Sequence, residues 1–392
     1  MTDSASTSAW RAIAAATALN APLGSIYAYS VLLKPLESLL GLSRADLAFV
    51  FAVAASVFAV GMNVTPFTFG RASAPVLVLA CAALGAGGVA VAASATGLRQ
   101  LAFGYGALFG AGVGAAYVLL QQIVNLAVKS RHGLVNGYLV SLLPLGAMLS
   151  APVFGWAIPA IGVRAALGWF AAILAALGLL SAWLTWRSGV SLASATTRVR
   201  MTAAERRTGV FWRLWLVFFL AASAGLMALS QGAGMIAAYG GAAMVAVYGT
   251  TLITAVVAAA RISGGWMVDA LAIPTVAAGA HAVSLAGALV LIAWPGPGVA
   301  VLALALVGLG YGLISGITAG AIAVYWPRAF YGRIASRLYI AWSAAAIVLP
   351  IVAGRLYDLT QGYGAAMVIA AAGNVLGILI SLGLPRRPPE QA

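Results

Sequence analysis

Between residues 10 and 384, charges, prolines and glycine-containing turns cut the chain into twelve apolar runs. Each run has about the 20 residues that a helix needs to cross the hydrocarbon of a bilayer. Few folds remain open to such a chain, because in lipid every backbone N–H and C=O must be bonded internally. The first half gives spans 10–33, 45–69, 75–95, 101–127, 134–158 and 165–186; the second gives 211–239, 242–268, 273–294, 299–325, 334–353 and 365–384. They use most of the 392 residues, which leaves no sizeable extramembrane domain. The one long polar stretch, 187–208, divides the spans six and six. The expected organisation is an N-terminal six-helix bundle over 1–187, a cytoplasmic linker over 188–210 and a C-terminal six-helix bundle over 211–392. The first run is long for a signal-peptide core and has no clear cleavage site, so it is read as a retained helix.

Charge supports the same reading. Only 7% of residues are charged, against about 25% in a soluble domain. The net charge of +14, from 21 basic and 7 acidic residues, could suggest a nucleic-acid partner. The placement of the basic residues argues otherwise. With both termini cytoplasmic, fifteen fall in cytoplasmic segments (Arg11, Arg71 and Lys129 among them) and five, Lys34, Arg44, Arg99, Arg164 and Arg355, in external loops. That asymmetry is an insertion signal. The expectation is a multi-pass protein of the cell (inner) membrane, a monomer with the lipid bilayer as partner and no nucleic acid. Cys81, alone in an apolar run, offers neither an intramolecular disulfide nor a cysteine metal site.

The halves echo each other. Gly110, Gly112 and Gly114 recur as Gly308, Gly310 and Gly312 at an offset of 198, and Pro152 recurs as Pro350 at the same offset. Two related six-helix halves are expected of transporters that rock about a central site. The alternative is that glycine is merely common here, with 46 copies. Gly106/Gly110/Gly114 and Gly312/Gly316/Gly320 also form small-xxx-small faces suited to close helix packing.

One basic residue, Arg261, belongs to no loop. It lies deep in span 242–268, where an arginine costs about 2.5–3.5 kcal/mol on insertion scales and cannot shed its proton. Glu37, Asp46, Asp269 and Asp358 all lie at span ends or in loops, so a buried guanidinium is a candidate receptor for a mobile anion. Its planar fork suits a carboxylate. The alternatives are that it bonds backbone carbonyls or reaches Asp269. Trp342 is the one mid-span tryptophan, the other ten lying near span ends where aromatic belts belong; it is read as a cavity wall or as core packing. Tyr27, Tyr117 and Tyr311 are mid-span hydroxyls that could bond an anion. Of the mid-span amides, Gln121, one turn beyond Tyr117, and Gln231 are favoured as substrate contacts over Asn63, Gln122, Asn136 and Asn374. His281 could relay protons or serve structure. No nucleophile–base pair, metal cluster or nucleotide loop is evident, so an enzyme, a cofactor or a metal is not expected.

Twelve spans in two repeats joined by a basic loop resemble the major facilitator superfamily. The run Gly24-Ser-Ile-Tyr27-Ala-Tyr-Ser-Val-Leu-Leu-Lys-Pro35 resembles the first helix of its oxalate/formate antiporter and monocarboxylate transporter branch, whose tyrosine lines the cavity. Gly110-Ala-Gly-Val-Gly-Ala-Ala-Tyr117 resembles the fourth helix, Phe211-Trp-Arg-Leu-Trp-Leu-Val-Phe-Phe the seventh, and Arg261-Ile-Ser-Gly-Gly265-Trp-Met-Val-Asp269 the eighth, whose arginine binds the substrate carboxylate. The resemblance implies an all-α membrane protein of twelve transmembrane helices in two pseudo-symmetric bundles, transporting small organic anions by alternating access. Departures refine this. Trp342 stands where the oxalate carriers have a second cation, a lysine, which favours a monocarboxylate over a dianion. Val257 stands where proton-coupled carriers have an aspartate. Phe67 replaces the aspartate of the gating motif between spans two and three, of which Gly70-Arg71 remain; after span eight Asp269 is kept without the basic residues that usually follow. A proton-driven exporter of drugs or metabolites is the alternative, on Gly137, Gly146, Pro152 and Gly155, though no membrane carboxylate is available to exchange a proton. A sensor of the same fold would need an appended signalling domain.

Overall fold

The computed structural model describes residues 2–195, 201–202 and 206–386. Arg198, Arg200 and Arg387, expected on the cytoplasmic side, lie outside the described residues, as does part of the expected linker. The described chain is helical, with one isolated bridge between Phe69 and Ala72. The helices are α1 Thr2–Leu23, α2 Ser30–Leu40, α3 Arg44–Val64, α4 Ala74–Ala93, α5 Leu98–Leu101, α6 Gly110–Ala127, α7 His132–Ile161 and α8 Val163–Ser188, followed by α9 Thr208–Ala238, α10 Ala243–Ala270, α11 Ile273–Ala293, α12 Pro297–Tyr325, α13 Tyr331–Leu338, α14 Ile340–Thr360 and α15 Gly364–Leu382.

Local chemistry sets these boundaries. Ser43 and Asp46 form a capping box at the start of α3. Prolines open α4, α11 and α12, where a missing N–H costs nothing. Gly41 and Gly189, at φ 64° and 68°, end α2 and α8 in the left-handed region that glycine tolerates. Among the described residues eleven helices are long and apolar enough to cross a membrane. The other expected span, 10–33, is not one helix. Pro22 lacks an N–H and Gly24 lies against the Leu143 backbone, and the chain tightens to a 3-10 stretch over Gly24–Ala28 between α1 and α2. The span expected over 334–353 is likewise divided, at Tyr339, and its second part runs on to Thr360. Arg355 marks where the apolar run ends, but it does not stop a helix. Span four opens with a π-helical stretch, Ala102–Phe109.

The chain forms two compact units. One comprises Met1–Ser130, Leu142–Arg200 and Pro327–Ser336; the other comprises Arg131–Ser141, Met201–Trp326 and Arg337–Ala392. In the first, α6 packs against α1, α3 and α4, and α8 against α1 and α4; in the second, α12 packs against α9, α10 and α11, and α15 against α9 and α11. The two patterns correspond helix for helix. The repeated glycines make the correspondence atomic. A Cβ at Gly110 or Gly114 would strike the α3 backbone at Ala54 or Phe58, and one at Gly112 would strike α4 at Gly85. Their mates Gly308 and Gly312 face α10 at Val257, and Gly310 faces α11 at Ala280 and Ser284. Outward faces carry large apolar side chains such as Leu149, Trp156, Leu302 and Leu379. Such surface suits hydrocarbon and would be a liability in water.

Each unit also caps a helix start with a side chain from another span. Asp269 accepts from the N–H groups of Gly133 and Leu134, both at 2.8 Å, at the beginning of α7. Gln122 accepts from the N–H of Gly332 at 2.6 Å beside α13 and donates to the Arg328 carbonyl. Phe67, at the expected gating position, is exposed. Gly114→Leu and Gly312→Leu should each destabilise the purified protein by about 1–3 kcal/mol or more through overpacking. Gly155→Leu, which meets nothing within 4 Å, should be tolerated. Comparable unfolding midpoints for all three variants would contradict this packing scheme.

Candidate functional site

Arg261 is only 7% exposed. Its main chain is held by two helices at once. A Cβ at Gly316 of α12 or at Gly137 of α7 would collide with the Arg261 carbonyl oxygen, so only glycine at both positions allows this approach. Gly265, one turn on, meets Gly133 and Gly137 in the same way. Val257, one turn before Arg261 and 2% exposed, is absorbed in the contact with Gly308 and Gly312. The guanidinium donates from Nη1 to the Val140 carbonyl at 2.8 Å and from Nη2 to the Tyr311 hydroxyl at 3.0 Å. Its central carbon lies 5.5 Å from the centre of the Tyr311 ring, within cation–π range. Bonding to a backbone carbonyl, one of the alternatives raised by the sequence, is thus realised. Asp269, the other alternative, accepts from α7 as described above.

Tyr311 is fully buried on α12, its ring lying directly against Gly225 of α9. Its hydroxyl accepts a second bond, from Trp342 Nε1 at 2.9 Å. Trp342 is half-buried on the first turn of α14, just past the interruption at Tyr339. Arg261, Tyr311 and Trp342, all expected as site residues, therefore form one connected cluster within the second unit. Indole and guanidinium are donors only. With the phenolic oxygen accepting from both, the Tyr311 O–H is left as a donor. Donors far outnumber acceptors in this cluster, which suits it to an acceptor-rich, negatively charged group.

The other expected contacts are placed elsewhere. Gln231, two turns beyond Gly225 on α9, donates to the Pro350 carbonyl at 3.4 Å and accepts from the Tyr363 hydroxyl at 3.2 Å. In the first unit, Gln121 is fully buried and accepts from the Tyr331 hydroxyl at 3.2 Å. Tyr117 packs its ring 6.0 Å from that of Phe58, and Tyr27 is half-buried in the 3-10 stretch. Asn63, Asn136 and Asn374 each bond the carbonyl four residues back in their own helix. His281 is fully buried with Nδ1 2.9 Å from Asn374 Oδ1, an interhelical bond with no link to the arginine cluster. Sequence reasoning missed Val140, because a backbone acceptor has no side-chain signature; the signal available was Pro144, four residues later.

Tyr311→Phe removes the one oxygen that accepts from both the buried Arg261 and the half-buried Trp342. It should cost about 2–4 kcal/mol, whereas Trp342→Phe, which removes a single donor, should cost about 1 kcal/mol. Unfolding of the two purified variants without ligand checks the order; a larger loss for Trp342→Phe would refute the bonding scheme.

No protein-family model matches the sequence, and no curated protein matches it. Solved structures match in fold. The chain aligns with FucP, the fucose:proton symporter of E. coli, at a TM-score of 0.70 and 16% identity over 94% of this chain and 97% of that one. It aligns with the proton:xylose symporter XylE at 0.72 and 14% identity over 96% and 95% of the two chains. With the human organic anion transporter MFSD10 the values are 0.71 and 15%, over 95% and 99%. At these identities the likeness concerns the fold, and the fold is that of the major facilitator superfamily transporters.

Proposed function

We propose that this protein is a secondary active transporter of small organic anions of the monocarboxylate class, in the oxalate/formate antiporter and monocarboxylate transporter branch of the major facilitator superfamily. It works by alternating access, with Arg261 binding the substrate carboxylate. The observation that carries the reading is the buried, donor-rich cluster of Arg261, Tyr311 and Trp342. Val140 and Tyr311 accept hydrogen bonds from the guanidinium, whose planar fork suits a carboxylate. Moving a buried cation between two orientations is costly, and a bound anion lowers that cost, which favours exchange of one anion for another. Trp342 adds a neutral donor where a second cation would serve a dianion. Val257, engaged in packing, supplies no proton site beside the arginine. Tyr27, Tyr117, Gln121 and Gln231 complete the proposed substrate contacts. MFSD10 is described as an organic anion transporter, which is in keeping with this substrate class on the same fold.

In proteoliposomes, Arg261→Gln and Arg261→Lys should each abolish carboxylate exchange while the protein remains folded. Unchanged exchange would overturn the assignment. The proposed orientation, with both termini cytoplasmic in the cell membrane, has its own check. Cys81 is buried and the only cysteine. In a Cys81→Ala background an impermeant maleimide added to intact cells should label Thr96→Cys and spare Ser130→Cys; the reverse pattern would invert the topology.

A further inference from the structure

Helix α7 runs unbroken from His132 to Ile161 through three prolines, Pro144, Pro152 and Pro159. A proline inside a helix has no N–H to donate, so the carbonyl four residues earlier loses its ladder partner. For Pro144 that carbonyl belongs to Val140, which is 1% exposed and therefore out of reach of water. A buried carbonyl without a donor is expensive. Arg261 Nη1 supplies the donor at 2.8 Å. The surroundings hold the two groups in register: Gly137 lets the Arg261 backbone approach α7, and Ser141 Oγ lies 3.3 Å from the Ala258 carbonyl of α10. The other prolines serve no such contact. Pro152 frees the carbonyl of Met148, which is 40% exposed, and Pro159 frees that of Gly155, an exposed residue.

We infer that Pro144 is a positioning residue for Arg261: by withholding its N–H it keeps the Val140 carbonyl available to Nη1. With Nη2 on Tyr311, this fixes the plane of the guanidinium. The inference rests on the proposed carboxylate-binding role of Arg261. A fork held at both terminal nitrogens meets a carboxylate already oriented, whereas a mobile one loses rotamer freedom on binding. An N–H at position 144 would return Val140 to the helix ladder and loosen the fork.

The test compares an amide with an ester at one position. Lactate, acetate and benzoate are titrated against the purified full-length protein, with thermal stabilisation as readout. Pro144→Ala, and Pro144→Gly as a second N–H-bearing variant, should bind about tenfold more weakly than the original protein. Their midpoints without ligand should be no lower. Replacing Pro144 by the α-hydroxy analogue of alanine, which has no N–H, should restore the original affinity. If the amide variants bind as the original does while Arg261→Gln has lost binding, the role of Pro144 is refuted and the function stands. Equal weakening by amide and ester would mean that Pro144 acts by bending α7, which also refutes it. Undiminished binding by Arg261→Gln, or no response of the original protein to any of the three anions, would refute the functional reading itself.

Discussion

A guanidinium keeps its proton at any physiological pH, and α10 carries one, on Arg261, into a buried position in the fold. Everything around it answers that constraint. Two helices close on its backbone through glycines: Gly137 of α7 and Gly316 of α12 leave room for nothing larger against the Arg261 carbonyl. A carbonyl of α7 and a phenol of α12 take two of its hydrogen bonds. The phenol is held in turn by Trp342 and by Gly225 behind its ring. Two of the guanidinium's hydrogen bonds thus go to neutral groups, and a substrate carboxylate is the anion proposed to meet its charge. The proposed transport cycle is built on that carboxylate contact.

Small residues write the rest of the fold. In a bilayer the helices gain little from hydrophobic association, so close van der Waals contact has to hold them. Gly110, Gly112 and Gly114 of α6 contact α3 and α4, and Gly308, Gly310 and Gly312 of α12 contact α10 and α11. The same spacing therefore builds the same three-helix contact in each unit. Capping by side chains from distant spans serves a related need, since helix starts leave N–H groups unsatisfied. One unit uses the carboxylate of Asp269 and the other the amide of Gln122.

For eleven of the twelve expected spans, existence and approximate extent were legible in the sequence, because hydropathy and length are properties of single segments. The glycine repeat was legible as well, since its offset survives in the chain. Interruptions were less so. Pro22 and Gly24 hint at the 3-10 stretch of the first span, but the break at Tyr339 leaves no comparable mark, and Arg355 ends an apolar run without ending a helix. At the site, Arg261, Tyr311 and Trp342 were singled out one by one from polarity at mid-span depth. That they share one phenolic oxygen depends on how α10, α12 and α14 are juxtaposed, which no local pattern encodes. Gln121 and Gln231 looked equivalent in the sequence, yet each is engaged by a tyrosine from another helix, Tyr331 and Tyr363. Val140 offered no side-chain signal at all; its role is visible only once Pro144 is read as a missing donor and not merely as a bend.

The central claim is that the charge of Arg261 is compensated by the carboxylate of a bound substrate with a single such group. Ligand binding to the native state raises its unfolding temperature, so the direct measurement is the midpoint of the purified protein across a panel of mono- and dicarboxylates, run beside Arg261→Gln. Stabilisation by monocarboxylates that vanishes in the variant is the predicted result. Stabilisation by dicarboxylates alone, or a response that survives the loss of the guanidinium, would contradict the account.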